Sequence, residues 1–276
     1  MIRSALSSTF LVLTVFLDSC NSSSSPPNPA PTGILEGIGS GKTIVVDLTH
    51  TLNSRNPYWP GKGNKPFKFE YFTSLQKDRV LEGHFTVDEH TGTHIDAPNH
   101  FVAWQLSLDK IPVERFFVPV VVIDVRSTVA KDPDYLLSTA DIDQWESQHG
   151  RVPPNAMVTM YTGWEERWDD FAKYKNADKA GILHFPGFSL AAARHLVLER
   201  QAAGLGIDAL SIDTGKSEDF PAHLVSHAEG KYNLENLANM GKLPAVGATI
   251  IVAPIKIEGG TGTPVRLYAL TPAAKK

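Results

Sequence analysis

The stretch Glu89-His-Thr-Gly-Thr-His-Ile-Asp-Ala-Pro-Asn-His-Phe101 holds four candidate metal ligands within eleven residues: His90, His94, Asp96 and His100. Imidazole nitrogens and a hard carboxylate oxygen are groups that bind Zn²⁺ or Mn²⁺ in proteins. Beside an apolar residue such as Phe101, these polar groups would be poor core material without a metal ion or a hydrogen-bond network. We interpret the stretch as a metal site. The alternative is a surface loop that happens to be rich in histidine.

The local sequence predicts an extended backbone for this site rather than a helix. Gly92, Pro98 and the β-branched residues Thr91, Thr93 and Ile95 oppose a helix. In a strand, His94 and Asp96 point to the same side because side chains alternate with a period of two. A turn at Gly92 can fold His90 back toward them.

The composition excludes several classes of protein. The 276-residue chain has 26 basic and 30 acidic side chains, so it lacks the basic excess typical of nucleic-acid binding. A hydrophobic content of 42% excludes a wholly disordered chain. The single cysteine excludes a disulfide framework and a thiolate-rich metal site, which leaves ten histidines and the carboxylates to bind any metal.

The N-terminal region reads as a targeting segment. Residues 1–20 combine an early positive charge with a short apolar run, as in a secretory signal peptide. Leu17-Asp-Ser-Cys20 resembles a bacterial lipoprotein processing site, although Asp18 departs from that pattern. The alternative is an ordinary secretory signal with an incidental cysteine. Residues 21–41 are rich in Ser, Pro and Gly and predict a tether. We therefore expect an exported protein, periplasmic or held at a membrane through lipidated Cys20, with one folded domain over 42–276.

Hydrophobic patterning in that domain predicts a mixed α/β fold. The expected strands are 43–48, 67–73, 118–125, 157–161, 209–212, 249–253 and 265–270. One helix is expected over 138–148, ending near Gly150, and another over 190–203, capped by Ser189 and followed by Gly204. Few helices separate the strands. We therefore predict a mixed β-sheet or partial barrel flanked by helices rather than a doubly wound sheet.

The histidine-rich stretch resembles the signature of the metal-dependent cyclase family, which includes bacterial kynurenine formamidases and isatin hydrolases. The matching pattern is His90-x-Gly-Thr-His-x-Asp-Ala-Pro-x-His100. Further matches are spread over the domain: 47–49, 58–61, 161–164, 206–208, 211–213, 217–223, 234–237 and 259–262. The resemblance implies a swivelling β/β/α fold and a homodimer. The stretch 213–223 and the C-terminal loop are more similar to the isatin-hydrolase branch.

The resemblance also implies roles for individual residues. His90, His94 and Asp96 would hold the main ion, and His223 with Glu235 would complete a second position, giving one or two Mn²⁺ or Zn²⁺ ions. His100 matches the residue that transfers protons. The substrate-binding candidates are Ser217 and an aromatic wall of Trp59, Phe101 and Trp164, although these aromatic residues could equally be core residues.

These ligands predict a hydrolase. Three protein ligands leave an open coordination position, where a metal can acidify water to attack an amide carbonyl while His100 moves the proton. We predict hydrolysis of a C–N bond in a small aromatic cyclic amide or formamide. The alternatives are an arylformamidase acting on N-formylkynurenine, an ester-acting or dehydrating member of the family, and a non-catalytic metal-binding lipoprotein. No Gly-x-Ser-x-Gly motif supports a serine hydrolase.

Overall fold

The computed structural model describes residues 33–61 and 63–273. The predicted signal peptide, Cys20 and most of the predicted tether lie outside the described residues. The end of that tether is helical instead of extended, because helix α1 covers Gly33–Gly39. Within the described part of the chain, no helix has both the length and the hydropathy needed to cross a membrane.

Strands and short helices alternate along the described chain. The strands are β1 Thr43–Asp47, β2 Lys68–Tyr71, β3 Gly83–Thr86, β4 His94–Asp96, β5 Phe117–Asp124, β6 Leu136–Leu137, β7 Met157–Tyr161, β8 Gly187–Phe188, β9 Gly204–Ile207, β10 Asn233–Glu235, β11 Ala248–Pro254 and β12 Gly262–Pro272. The remaining helices are α2 Leu75–Asp78, α3 Arg126–Val129, α4 Thr139–His149, α5 Phe171–Lys175, α6 Leu190–Arg194 and α7 Pro221–Ala228.

The main sheet closes on itself as a mixed barrel, which confirms the predicted fold class. Its strands follow the order β1-β12-β11-β5-β7-β9-β10-β4, and β12 also pairs with β4. The long strand β12 makes this closure possible, because Gly262–Pro264 pairs with β4 while later residues pair with β1 and β11. Strands β5, β7 and β9 are parallel, whereas β4, β11 and β12 run antiparallel to their neighbours. The closed sheet places β4 and β10 side by side.

Alternating side chains of the sheet divide the core into two clusters. On β5, Val121 and Ile123 belong to a cluster that includes Ile142 of α4 and Leu196 near α6. Val120 and Val122 belong to the other cluster, together with residues of β1, β4, β10, β11 and β12. This period of two is expected for a sheet buried on both faces. The sheet is therefore a rigid support for side chains at its strand ends.

Several predicted strands and their surroundings differ in the structure. The apolar, β-branched run over 43–48 predicts a buried strand, but strand β1 is an edge strand with Ile44 and Val45 each 46% exposed. Aromatic and polar residues alternate over 67–73, which predicts a half-exposed strand, but the strand there, β2, pairs with β3 in a hairpin that is exposed along both strands. The prediction of a strand over 209–212 is wrong, because the strand is β9, Gly204–Ile207, which pairs with β7 and ends before Asp208.

The two predicted helices have different outcomes. The helix after Ser138 is confirmed as α4, with a capping box between Ser138 and Asp141 and an end at Gly150. The second helix is shorter than predicted. Helix α6 is followed by a π-helical turn, His195–Glu199, and the chain leaves the helix at Gln201, which has a left-handed backbone with φ 55°. Gly204 therefore starts a strand rather than capping a helix.

Candidate active site

Strand β4 presents two candidate ligands from the same face. His94 and Asp96 are both buried, as expected for residues two apart on a strand. Gly92 has a left-handed φ of 69°, and the turn there brings His90 back so that its Nδ1 lies 2.6 Å from Asp96 Oδ1. The extended arrangement predicted from the sequence is therefore present.

The loop before β12 holds the outer side of His90. Thr261 Oγ1 accepts a hydrogen bond from His90 Nε2 at 3.0 Å and donates one to Glu89 Oε2 at 2.5 Å. Gly262 permits this approach, because a Cβ there would lie only 2.5 Å from His90 Cε1. These bonds leave His90 Nδ1 facing Asp96.

Helix α7 and strand β10 supply the other two candidate ligands. His223 Nε2 lies 3.3 Å from Asp96 Oδ2 and 3.1 Å from Glu235 Oε1. Glu235 stands opposite His94 in the register of β10 with β4, and its Oε2 lies 3.3 Å from His94 Nε2. Ile212 N donates to Glu235 Oε1 at 2.9 Å and so orients this carboxylate. Residues from two distant segments thus meet the histidine-rich stretch.

The three imidazoles are oriented in the same manner. Each uses one ring nitrogen for a hydrogen bond away from the cluster: His90 to Thr261, His94 Nδ1 to Gly92 O at 2.9 Å, and His223 Nδ1 to Asp213 Oδ2 at 2.7 Å. The other nitrogen faces the carboxylates. This is how ligating histidines are held in metal sites, where outer partners fix the tautomer.

The donor set fits a metal ion. The buried Nε2 of His94 makes no aligned hydrogen bond to any described residue, although Asp96 Oδ1 lies 3.2 Å away. Burial alone would lower the pKa of His94, but Asp96 and Glu235 raise it to about 10. Burial likewise opposes ionisation of Asp96, yet His94 and bonds from His223 and His90 hold its pKa well below the usual range. Two buried carboxylates therefore require positive charge here, which a divalent cation supplies.

His100 lies at the edge of this cluster. Its ring stacks on that of His90 with centroids 3.8 Å apart, and a nitrogen of each ring and a carboxylate oxygen of Asp96 lie within 4.8 Å of one another. Burial lowers the pKa of His100 to about 4, with a further contribution from the charges of His90 and His223. The ring is therefore neutral at pH 7 and can accept a proton.

A cavity of about 610 Å³ opens over the cluster. Its lining includes four candidate metal ligands and the candidate proton-transfer residue: His90, His94, His223, Glu235 and His100. Its aromatic walls are Tyr58, Trp59, Phe101 and Phe220. The cavity is large enough for a small organic molecule. Trp59 and Phe101 thus lie where the sequence analysis expected a wall.

Two predicted substrate-binding residues lie elsewhere. Trp164 is only 1% exposed, belongs to the core and donates its Nε1 hydrogen to Tyr174 O, so it gives no surface to the cavity. The prediction that Trp164 belongs to the aromatic wall is wrong, because its indole nitrogen has a hydrogen-bond acceptor inside the core. Ser217 also does not line the cavity. Its Oγ accepts from Phe220 N at 3.0 Å, so it shapes the turn before α7.

Sequence reasoning missed the roles of Asp213, Thr261 and Phe220. The only available signal for Asp213 was its place in a motif ten residues before His223. Of the histidines left unassigned, His227 is buried, donates no bond from Nδ1 to a described residue, and accepts at Nε2 from Asn233 Nδ2 at 2.9 Å. His184 pairs with Asp134, and His195, predicted as a helix residue, opens the π-helical turn.

A buried donor set that opens on one side to a substrate-sized cavity is the arrangement of a hydrolytic metal site. Residues 46–214 match the model of the family described as "Putative cyclase". The isatin hydrolase of Roseibium aggregatum is 37% identical over 261 residues, which cover 87% of this chain and 98% of that protein. The kynurenine formamidase of Salinibacter ruber is 26% identical over 80% of this chain and 95% of its own.

Solved structures agree with these sequence matches. The crystal structure of an isatin hydrolase bound to the product analogue thioisatinate superposes with a TM-score of 0.83 at 35% identity, covering 88% of this chain and all of that one. The chain therefore belongs to the cyclase family, as the signature around His90 predicted.

Proposed function

We propose that this protein is a metal-dependent hydrolase that cleaves the C–N amide bond of a small aromatic cyclic amide of the isatin type. The observation that carries the proposal is the common orientation of His90, His94 and His223, each with one nitrogen held outward and the other facing buried carboxylates. The similarity to isatin hydrolase along almost the whole of that protein supports the substrate class.

His90, His94 and Asp96 would hold one ion, and His223 and Glu235, together with Asp96, would hold a second. When bound, Zn²⁺ or Mn²⁺ supplies Lewis acidity, which polarises a carbonyl and acidifies water. Thr261, Gly92 O and Asp213 each accept the proton of the outer ring nitrogen, which fixes the tautomer and aims the other nitrogen at the ion.

His100 would move the proton. It lines the cavity next to the ligand His90, and its neutral ring can take a proton from the attacking water. Returning that proton to the departing nitrogen completes the hydrolysis: hydroxyl joins the carbonyl carbon, the C–N bond breaks, and hydrogen joins the nitrogen. Trp59 and Phe101 would bind the aromatic ring of the substrate beside these groups.

A second candidate is arylformamidase activity on N-formylkynurenine. The kynurenine formamidase of Salinibacter ruber supports it, at lower identity than the isatin hydrolase. Both substrates present an amide carbonyl and a flat ring, so the same ligands and walls would serve either reaction. A non-catalytic metal-binding protein is the third reading, disfavoured because the donor set opens into a cavity.

Steady-state kinetics with isatin and N-formylkynurenine test the proposal. Purified protein loaded with Mn²⁺ or Zn²⁺ is expected to hydrolyse isatin with the higher kcat/KM, and chelation is expected to abolish turnover. A higher kcat/KM for N-formylkynurenine would favour the arylformamidase. Stoichiometric metal binding with neither substrate turned over would favour the non-catalytic reading.

We also propose that the protein is exported and lipidated at Cys20. Residues 1–20 and the Leu17–Cys20 motif support this location. Radiolabelled palmitate is expected to label the wild type and not Cys20→Ala, and equal labelling would exclude lipidation at this residue.

We propose further that the protein is a homodimer. The exposed β2–β3 hairpin supports this assembly, since Phe69, Tyr71 and Phe85 are each about half exposed. Light scattering coupled to gel filtration is expected to give twice the chain mass, and a monomer mass would contradict the proposal.

A further inference from the structure

Phe220 has an unusual backbone conformation. Its φ is 48° and its ψ is 54°, which places a bulky aromatic residue in the left-handed region. The following residue is Pro221, and residues that precede proline favour extended conformations. The local sequence therefore does not favour this geometry, so the surrounding structure must impose it.

The chain holds Phe220 from both sides. Ser217 Oγ accepts the backbone hydrogen of Phe220 at 3.0 Å. After Pro221, the carboxylate of Asp213 accepts from Ala222 N at 2.8 Å and from His223 N at 3.1 Å. These bonds fix the turn before Phe220 and the first turn of α7 after it. The same carboxylate orients the candidate ligand His223.

The side chain of Phe220 faces the cavity as a result. Its ring centroid lies 5.3 Å from that of Phe101, 6.0 Å from that of Trp59 and 6.2 Å from that of His223. These separations fall within the range of favourable aromatic pairs. The strained turn thus joins Trp59 and Phe101 into a continuous aromatic surface beside the cluster.

We infer that Phe220 is a substrate-binding residue, whose left-handed backbone is retained because it holds the ring where a flat aromatic substrate binds. The inference rests on the proposed function for the identity of the substrate. It assigns Ser217 an indirect role, since that residue positions Phe220 instead of contacting the substrate. It predicts that Phe220 contributes to substrate affinity and not to metal binding.

Phe220→Ala and Phe220→Gly test this inference together. Glycine adopts the left-handed region freely, so Phe220→Gly should be the more thermally stable of the two. Both variants are expected to raise KM for isatin about tenfold or more, since each loses the ring. Their kcat should stay within about threefold and their metal content should match the wild type, because no ligand is changed. Phe117→Ala is the matched control, since Phe117 is exposed on β5 and does not line the cavity.

The outcome separates a substrate-binding role from a structural one. KM values within about twofold of the wild type in both variants would overturn the inference. Loss of metal would also overturn it, and so would a decrease in kcat as large as the expected change in KM, because the residue would then support the fold of the metal cluster. If the wild type hydrolyses neither isatin nor N-formylkynurenine, the proposed function fails, and thioisatinate binding to the metal-loaded proteins decides the inference. Weaker binding by both variants supports it, and unchanged binding overturns it.

Discussion

Asp213 bonds to His223 twice through one carboxylate oxygen. Its Oδ2 accepts from the backbone nitrogen of His223 at 3.1 Å and from Nδ1 of the ring at 2.7 Å. Both side chains are buried. The pair fixes the start of α7 and directs His223 Nε2 toward Asp96 and Glu235, so helix position and ring tautomer are set by the same group.

Replacing Asp213 should weaken the ion held by His223 and Glu235. Asp213→Asn removes the charge and replaces one of the two accepting oxygens by an NH2 group that cannot accept, and changes of this kind cost about 10- to 100-fold in metal affinity. Calorimetric titration of the metal-free protein is expected to show this loss for one ion. Asp134→Asn is the matched control, because Asp134 pairs with His184 outside the cavity. Unchanged affinity for every ion in Asp213→Asn would contradict this role.

Removing His100 should impair turnover while metal is retained. His100→Ala is expected to lower kcat by about 10²- to 10⁴-fold, the usual contribution of a positioned proton-transfer group. Metal content measured on the same sample should equal that of the wild type. A simultaneous loss of one ion would instead make His100 a ligand, because its ring nitrogen lies within 4.8 Å of the ligand atoms of His90 and Asp96.

Asp208 should make the fold less stable as the pH rises from about 4 to about 6. Burial raises the pKa of this carboxyl from 3.8 to about 6. Hydrogen bonds from Thr162 N, Thr162 Oγ1 and Glu165 N lower the pKa and offset only part of that increase. In that pH range the unfolded chain releases a proton that the folded chain keeps, so the free energy of unfolding falls by about 3 kcal/mol.

Asp208→Asn tests this contribution. Urea unfolding of metal-free wild type and variant between about pH 4 and 6 should show that the free energy of unfolding of the wild type, relative to that of the variant, falls as the pH rises. Comparing the two slopes removes the contribution of the metal cluster, which is shared. Parallel pH profiles would show that Asp208 has an ordinary pKa in the folded state.

Metal removal should destabilise the protein. A ligand that binds only the folded state at about 100 times its Kd adds about 2.7 kcal/mol to the free energy of unfolding. A chelator is therefore expected to lower the thermal midpoint, and restored Zn²⁺ or Mn²⁺ to recover it. An identical midpoint with and without chelator would indicate that no ion binds the folded chain.

The local part of the site could be predicted from the sequence. His94 and Asp96 share a face because a strand repeats every two residues, and Gly92 provides the turn that returns His90. These relationships involve neighbours along the chain. The partners His223 and Glu235 came only from the family resemblance, since barrel closure and the placement of α7 decide their positions.

The wrong predictions have physical causes in tertiary structure, which the local sequence pattern does not contain. Residues 209–212 are apolar except for Ser211, but barrel pairing is satisfied by Gly204–Ile207, and the amide of Ile212 bonds to Glu235 instead. Trp164 was placed in the wall because aromatic residues near a motif suit a flat substrate, whereas its indole lies in the core against Tyr174. The left-handed backbone of Phe220 opposes its residue type, so propensity could not predict it.

The most direct test of the central claim measures metal content and isatin hydrolysis on the same samples of wild type, His94→Ala and His149→Ala. His94 supplies a buried Nε2 that makes no aligned hydrogen bond to a described residue, and His149 is an exposed histidine at the end of α4. We expect the wild type and His149→Ala to bind metal and hydrolyse isatin, and His94→Ala to lose at least one ion and to hydrolyse no isatin. Full activity in metal-free wild type, or wild-type metal content and turnover in His94→Ala, would contradict the account.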